Sequence, residues 1–143
     1  KGFSTINIEK AMMNSEMGFG MKVLRVLADN NVSFEHMPSG IDTMSITVDT
    51  NSLNPVREKV LSQLRKEVNP DHLEIEDGIA LLAVVGRRMK NTRGTVARIF
   101  ASMAHARINV KGSSELNVII GVSENDLNEA IRRIYDMFIS SEK

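Results

Sequence analysis

Apolar and polar residues alternate from Phe3 to Glu9, with Ile6 and Ile8 on one face and Phe3, Thr5, Asn7 and Glu9 on the other. That two-residue period predicts a strand. The period then lengthens. Val23, Val26, Leu27 and Val32 recur at helical spacing, and the Asn30-Asn31 pair is expected to stop the helix. Ser33 to Met37 reads as a second, short strand, closed by Pro38-Ser39-Gly40. Thr43 to Asp49 alternates again, with Met44, Ile46 and Val48 on one face. Asn54-Pro55 is expected to start a helix, cap before proline, with Val56, Val60, Leu61, Leu64 and Val68 as its apolar positions. His72 to Glu76 makes a last strand with Leu73 and Ile75 inward. The order is βαββαβ.

The same pattern begins a second time. Gly18 falls on Gly94, Val23 on Ile99, Leu24 on Phe100, Leu27 on Met103, Ala28 on Ala104 and Val32 on Ile108, each pair 76 residues apart. Ile6 over Leu82 and Ile8 over Val84 keep that offset. A period this long indicates two copies of one small domain rather than a solenoid. The second copy is expected to run Ile79 to Arg87 (strand), Thr92 to Ala106 (helix), Ile108 to Lys111 (strand), Glu115 to Val122 (strand) and Asn125 to Ile139 (helix, capped by Ser123). The reading is therefore α+β, two ferredoxin-like βαββαβ modules at residues 3–78 and 79–143, the second lacking its last strand. That strand is expected from sequence upstream of Lys1 or from a partner chain, because a bare sheet edge leaves backbone groups unpaired. After the second strand the offset falls to 72, with Ile46 on Val118 and Val48 on Ile120, which makes copy two four residues short between Lys111 and Gly112. Either the turn is truly pinched or a loop is missing there; we read it as a missing loop.

Composition narrows the function. With 18 basic and 18 acidic residues among 143, the formal net charge is zero, so the electrostatic footprint of a nucleic-acid binder is absent. One Tyr, five Phe and no Trp leave few platforms for stacking bases. The absence of cysteine excludes disulfides, thiolate metal sites and cysteine nucleophiles, and suits a reducing cytoplasm. Ile79 to Val85, the longest apolar run, is too short to span a bilayer.

Candidate chemistry is sparse. His36, His72 and His105 have no partners at metal-ligand spacing and read as surface or interface histidines. Met12, Met13, Met17 and Met21 crowd one segment and read first as core fillers, with an adaptable apolar pocket as the alternative. No phosphate-binding loop or catalytic constellation occurs, so this segment reads as no enzyme in itself. Gly18-Phe19-Gly20 gains meaning from its position, between the first strand and the first helix, where free N–H groups and the helix dipole favour an anion. Ser33, Phe34, Glu35 and the Pro38 to Asp42 turn are expected to face it, with Glu35 or Asp42 available to an ammonium group. An anion site beside a cation site suits a free amino acid; a plain turn with a solvated acid is the alternative.

The stretch FSTINIEKAMMNSEMGFGMKVLRVLADNNVSFEHMPSGIDTMSITVD resembles the first ACT domain of aspartate kinases, especially the lysine-sensitive class. VVGRRMKNTRGTVARIFASMAHARINV and GSSELNVIIGV resemble the second. The resemblance covers essentially all of the chain. It implies the C-terminal regulatory region of an enzyme that phosphorylates the side-chain carboxylate of L-aspartate, with ATP and magnesium held in an upstream kinase domain. It also implies that the first unit is inserted into the second, whose last strand then comes from upstream. ACT units of the family pair side by side into a homodimer, and an end product, lysine before threonine, binds at the interface. Carried over by position, the effector site comprises Met13, Asn14, Gly18, Phe19 and Gly20 together with Ser33, Phe34, Glu35, Ser39 and Asp42. The family usually has an apolar run ending in Asp-Gln where this sequence passes from Lys111 to Gly112.

Rival readings of the same element order are a ligand-free dimerisation module, an RNA-binding sheet and an acylphosphatase-like enzyme. The second lacks an aromatic pair with basic surroundings, and the third lacks the Arg and Asn of a phosphate cradle. Fold alone does not choose among them.

Overall fold

The computed structural model describes residues 2–84, 97–98, 101–103 and 118–141. Contacts divide the chain into two units, Gly2–Gly78 and Ile79–Lys143. In the first unit, strand β1 (Phe3–Glu9) leads to helix α1 (Phe19–Asp29), then β2 (Phe34–His36) and β3 (Thr43–Asp49). A short helix α2 (Thr50–Leu53) and a 3₁₀ turn (Asn54–Val56) precede α3 (Arg57–Val68), and β4 begins at His72. The strand order is β2-β3-β1-β4, with β1 antiparallel to β3 and Ile6 opposite Ile46. This is the ferredoxin-like order expected of βαββαβ. Ile6, Ile8, Met44, Ile46 and Val48 supply one buried sheet face, against Phe19, Val23, Val26 and Leu27 of α1 and Val60, Leu64 and Val68 of α3. Leu73 and Ile75 pack at the margin of this core, inward as their alternation predicts.

The stop of α1 is more specific than a pair of asparagines suggests. Asn31 takes the left-handed conformation, φ 58°. The Val32 N–H then donates to Leu27 O at 2.9 Å and the Asn31 N–H to Ala28 O at 3.1 Å, the paired bonds of a Schellman cap. Val32 therefore lies beyond the helix, buried against it, rather than on its last turn.

Three local expectations need correction. The helical segment after β3 does not start at Asn54-Pro55: Asp49 ends the strand and its Oδ1 accepts the Asn51 N–H at 2.8 Å, so helix begins at once. Pro55 instead sits at the start of the 3₁₀ turn joining α2 to α3, where its missing N–H costs nothing. The strands expected at His72 to Glu76 and from Ile79 onward are one, β4 (His72–Val84), in which Ser4 and Arg57 hold the Asp77 carboxylate at 2.6 and 2.8 Å. Gly78 absorbs φ 70° within that strand.

In the second unit β4 from Ile79 onward pairs antiparallel with β5 (Val118–Ser123), and a 3₁₀ turn (Glu124–Asp126) leads into helix α4 (Leu127–Ser141). Residues 97–98 and 101–103 are helical. Met103 packs with Ala80, Ile120, Val122, Ala130 and Ile134. Leu27 and Met103, equivalent by the repeat, are thus both core residues. Ser123 occupies the cap position of the Glu124 turn, but its side chain makes no capping bond; the acidic residues Glu124 and Asp126 occupy that first turn instead. Leu82 faces Ile120, where the repeat offset expects Val118. On a register equivalent to Ile6 opposite Ile46, the second copy is two residues short rather than four, a shift that keeps the same sheet face. The strand expected at Ile108 to Lys111, His105 and the Lys111-Gly112 junction lie outside the described residues.

Candidate functional site

The segment joining β1 to α1 is tied down from two sides. The Lys10 N–H donates to Asp42 O at 2.9 Å and the Met12 N–H to Asp42 Oδ1 at 2.7 Å, both in the turn before β3. On the other side the Ala11 N–H donates to Asp71 Oδ2 at 2.8 Å, and the Asp71 N–H returns to Glu9 O at 2.8 Å. Between these anchors the chain makes a 3₁₀ turn at Met13–Ser15 and enters α1 through Gly18, in the left-handed region at φ 75°.

The start of α1 is left open. Gly18 makes no side-chain cap, no acidic residue lies in the first turn, and the Phe19 N–H reaches Glu16 O at a long 3.3 Å. The N–H groups of Gly20 and Met21 have no carbonyl a turn earlier in the helix to accept them, as at any helix start. Beside this end lies a cavity of about 220 Å³ lined by Met13, Glu16, Gly18, Phe19, Gly20, Ser39, Gly40 and Met44. It is smaller than the roughly 300–1,000 Å³ of drug-sized sites, and fits a compact ligand.

Glu16 is the one ionisable group of that lining. Its Oε2 accepts from Lys10 Nζ at 2.7 Å, and its Oε1 from Lys22 Nζ at 3.3 Å. The Lys10 bond, with help from Lys22, holds the Glu16 carboxyl below the ordinary glutamate range. Lys10 Nζ is itself fixed by Val68 O at 2.7 Å and lies 5.9 Å from the centre of the Phe19 ring.

The ten residues expected to form a site are not all together. Met13, Gly18, Phe19, Gly20 and Ser39 line the cavity at the start of α1. Asn14 lies in the adjoining 3₁₀ turn, its side chain outside the described residues. Asp42 is exposed and spends one carboxylate oxygen on Met12, so it shapes the loop rather than facing the cavity. Ser33 and Phe34, expected to face the tripeptide, instead line a wider hollow of about 610 Å³ with Leu24, Leu27, Ala28, Asn31 and Val32, at the far end of α1. Glu35 is exposed on β2. Eleven residues of helix, about 16 Å at 1.5 Å per residue, separate the two groups. Gly40, in the Pro38 to Asp42 turn expected to face the tripeptide, also lines the cavity. Glu16 and Met44 were not legible as lining: Lys10, Glu16 and Lys22 recur at no helical or strand period, and Met44 reads as core.

The methionines divide as well. Met13 is buried and Met44 buried with it, but Met12, Met17 and Met21 are exposed, so core filling describes only one of the four clustered in sequence. His36 is buried on β2 rather than at the surface; its Nε2 has no hydrogen-bond partner, and burial lowers its pKa. His72 is exposed, 3.4 Å from Glu74. Among the described residues no group of His, Asp or Glu could hold a metal ion, and no helix is long and apolar enough to cross a membrane.

Comparison with known proteins gives these features a family. The ACT domain model matches residues 82–138. Aspartokinase 3 of Bacillus subtilis is 33% identical over 144 residues, covering 97% of this chain and 32% of that protein. The aspartate kinase of Clostridium acetobutylicum superposes with a TM-score of 0.84 at 41% identity, over 95% of this chain and 32% of that one. The ligand-free regulatory subunit of aspartate kinase from Thermus thermophilus shares the fold, with a TM-score of 0.79 at 19% identity over 95% of this chain and 91% of that one. The chain spans about a third of the Bacillus relative, and 26% and 17% of two further aspartate kinases, from Fusarium oxysporum and Arabidopsis thaliana. Its repeated pattern, βαββαβ in the first copy and short of a strand in the second, its strand order and these matches together make the chain a member of the aspartate kinase family, corresponding to the ACT-domain regulatory region.

Proposed function

We propose that this chain is the sensor through which an aspartate kinase is inhibited by an amino-acid end product, lysine in preference to threonine. The observation that carries the reading is the small cavity at the uncapped start of α1, where free N–H groups and the helix dipole suit a carboxylate. The phosphorylation of L-aspartate, with its ATP and magnesium, belongs in this reading to a kinase domain elsewhere in the parent protein.

The separation of the ten candidate residues favours a site built between two copies. The Gly18 end and the Ser33 end of one α1 are too far apart to hold one amino acid. Two chains paired so that one copy's Gly18 end meets the other's Ser33 end would bring both groups to the same ligand. Binding and pairing then share one equilibrium, and the effector acts by favouring one paired arrangement over another. Such coupling is typically about 1–3 kcal/mol.

Thermal melting and calorimetry test this, on the chain and on the full-length parent. Lysine is expected to raise the melting temperature, by about 2.7 kcal/mol of stabilisation at a hundredfold excess over Kd. Aspartate and ATP are expected to leave the isolated chain unchanged. No heat and no shift with lysine or threonine, in either protein, would sink the reading. The exposure of Met12, Met17, Met21 and Ile41 favours a second reading, a dimerisation module without ligand. Substituting Glu35 and Asp42 separates them: sensing should fail while the dimer mass persists.

A further inference from the structure

The cavity at the start of α1 holds a carboxylate whose two oxygens are unequally bound. Glu16 Oε2 receives Lys10 Nζ at 2.7 Å, and that ammonium is also fixed by Val68 O at 2.7 Å, so this side is locked. Glu16 Oε1 receives Lys22 Nζ at 3.3 Å, from a side chain 39% exposed. A long contact from a flexible, solvated ammonium is the weaker of the two, and an ion pair of that kind contributes little. The Lys22 ammonium is thus a replaceable occupant of Glu16 Oε1.

We infer that Glu16 is the residue that sorts effectors by side-chain charge: a ligand ammonium displaces Lys22 from Oε1, so that this cavity selects an amino acid with a cationic side chain over a neutral one. The inference rests on the amino-acid-sensing reading and adds to it the group that makes lysine differ from threonine. The exchange conserves charge type at the carboxylate, one ammonium for another, and leaves Lys22 free to enter solvent. The other polar lining, the Ser39 hydroxyl, can donate to a neutral side chain but cannot distinguish a cation from it by charge. Apolar Met13, Phe19 and Met44 suit the methylene stem of a long side chain.

The test is calorimetric titration of the full chain with L-lysine, L-norleucine and L-threonine, norleucine having lysine's stem without its charge. Wild type is expected to bind lysine about tenfold or more tighter than norleucine, the scale of one charge-assisted bond. Glu16→Gln is expected to erase that preference while norleucine binding stays put. Lys22→Ala is expected to tighten lysine binding, because it removes the competitor. An equal loss for lysine and norleucine in Glu16→Gln would overturn the inference, since Glu16 would then be reading the α-ammonium common to both. Weaker lysine binding in Lys22→Ala would also overturn it, by making Lys22 a ligand for the α-carboxylate. Binding of no amino acid at all by the wild-type chain and its parent defeats the sensing reading, and this inference with it. Unchanged selectivity with intact binding defeats only the inference.

Discussion

The two ends of α1 are built on opposite principles. At its C-terminal end Asn31 is left-handed, Val32 and Asn31 return their N–H groups to Leu27 and Ala28, and Asn30 Nδ2 donates to Val26 O and Gln63 Oε1, both at 2.7 Å. At its N-terminal end Gly18 caps nothing with a side chain, and the nearest charges are held together around Glu16 instead. The closed end joins the helix to its neighbours; the open end faces a cavity. A helix whose Val26, Leu27 and Ala28 carbonyls all accept from its own cap has less call on an outside partner. One whose first N–H groups lack acceptors does, and this is the end at which the proposed site lies.

Removing Asn30 should have the largest effect and should test the closed end alone. The side chain is 7% exposed and its amide bridges α1 to α3. Asn30→Ala loses both donations and leaves Gln63 Oε1 without that donor, at a cost of about 1–2 kcal/mol. Its Oδ1 has no partner in the native fold, so losing that acceptor offsets part of the cost. Denaturant unfolding should show the lower midpoint, while the Kd for lysine, measured where the protein is folded, should not move. A change in affinity matching the loss of stability would mean that the two ends are not independent.

A reciprocal pair of glycine substitutions gives the next largest effects. Gly18 at φ 75° and Asn31 at φ 58° are both left-handed, one at each end. An alanine Cβ at Gly18 would meet nothing closer than Met21 Cε at 3.7 Å, so Gly18→Ala carries backbone strain without a clash. Its expected cost is about 1 kcal/mol, with weaker lysine binding as the Gly20 and Met21 N–H groups are re-aimed. Asn31→Gly removes strain at the closed end and is expected to stabilise by about 0.5 kcal/mol or less, with binding unaltered. Opposite signs in melting temperature, with only the first variant altering calorimetric affinity, are the expected outcome.

How much of this could be read from sequence differs between the same two ends. The strands and both main helices of the first unit were legible because Ile6, Ile8, Ile46 and Val48 alternate and Val60, Leu64 and Val68 recur at helical spacing. The entry into α1 at Gly18 was legible too, because only glycine enters a helix easily from the left-handed region, although Phe19 and Gly20 already belong to the helix. Within one chain Ser33 to Glu35 do not lie opposite Gly18, for a reason of length. A three-residue strand beginning four residues after the Asn30 cap spans about 10 Å and cannot return along the whole of α1. Glu16 escaped notice because its partners lie six residues away on either side, a spacing that only the folded loop brings together. The strand expected to end at Glu76 and the one expected to begin at Ile79 are continuous, with Arg57 and Ser4 holding Asp77 from distant parts of the chain, which no local pattern displays.

The smallest expected effect concerns the acid limb of stability at the open end. Lys10 and then Lys22 hold the Glu16 carboxyl below its ordinary value near 4.5. A carboxyl depressed in the folded state binds its proton less readily there than in the unfolded chain. Its contribution is therefore complete above the ordinary value and is lost as pH falls through the lower, folded one. Melting temperatures taken from about pH 5 down to about pH 3 should fall more steeply in wild type than in Glu16→Gln. Asp77, held low by Arg57 and Ser4, and Glu129, held low by Arg133 and Arg132, add the same background slope to both proteins. The difference between the curves thus isolates Glu16. Because the group is solvated and its pairs are screened, that difference should shrink as salt is raised, and a salt-insensitive difference would mean that Glu16 stabilises the loop by something other than these two ammonium groups.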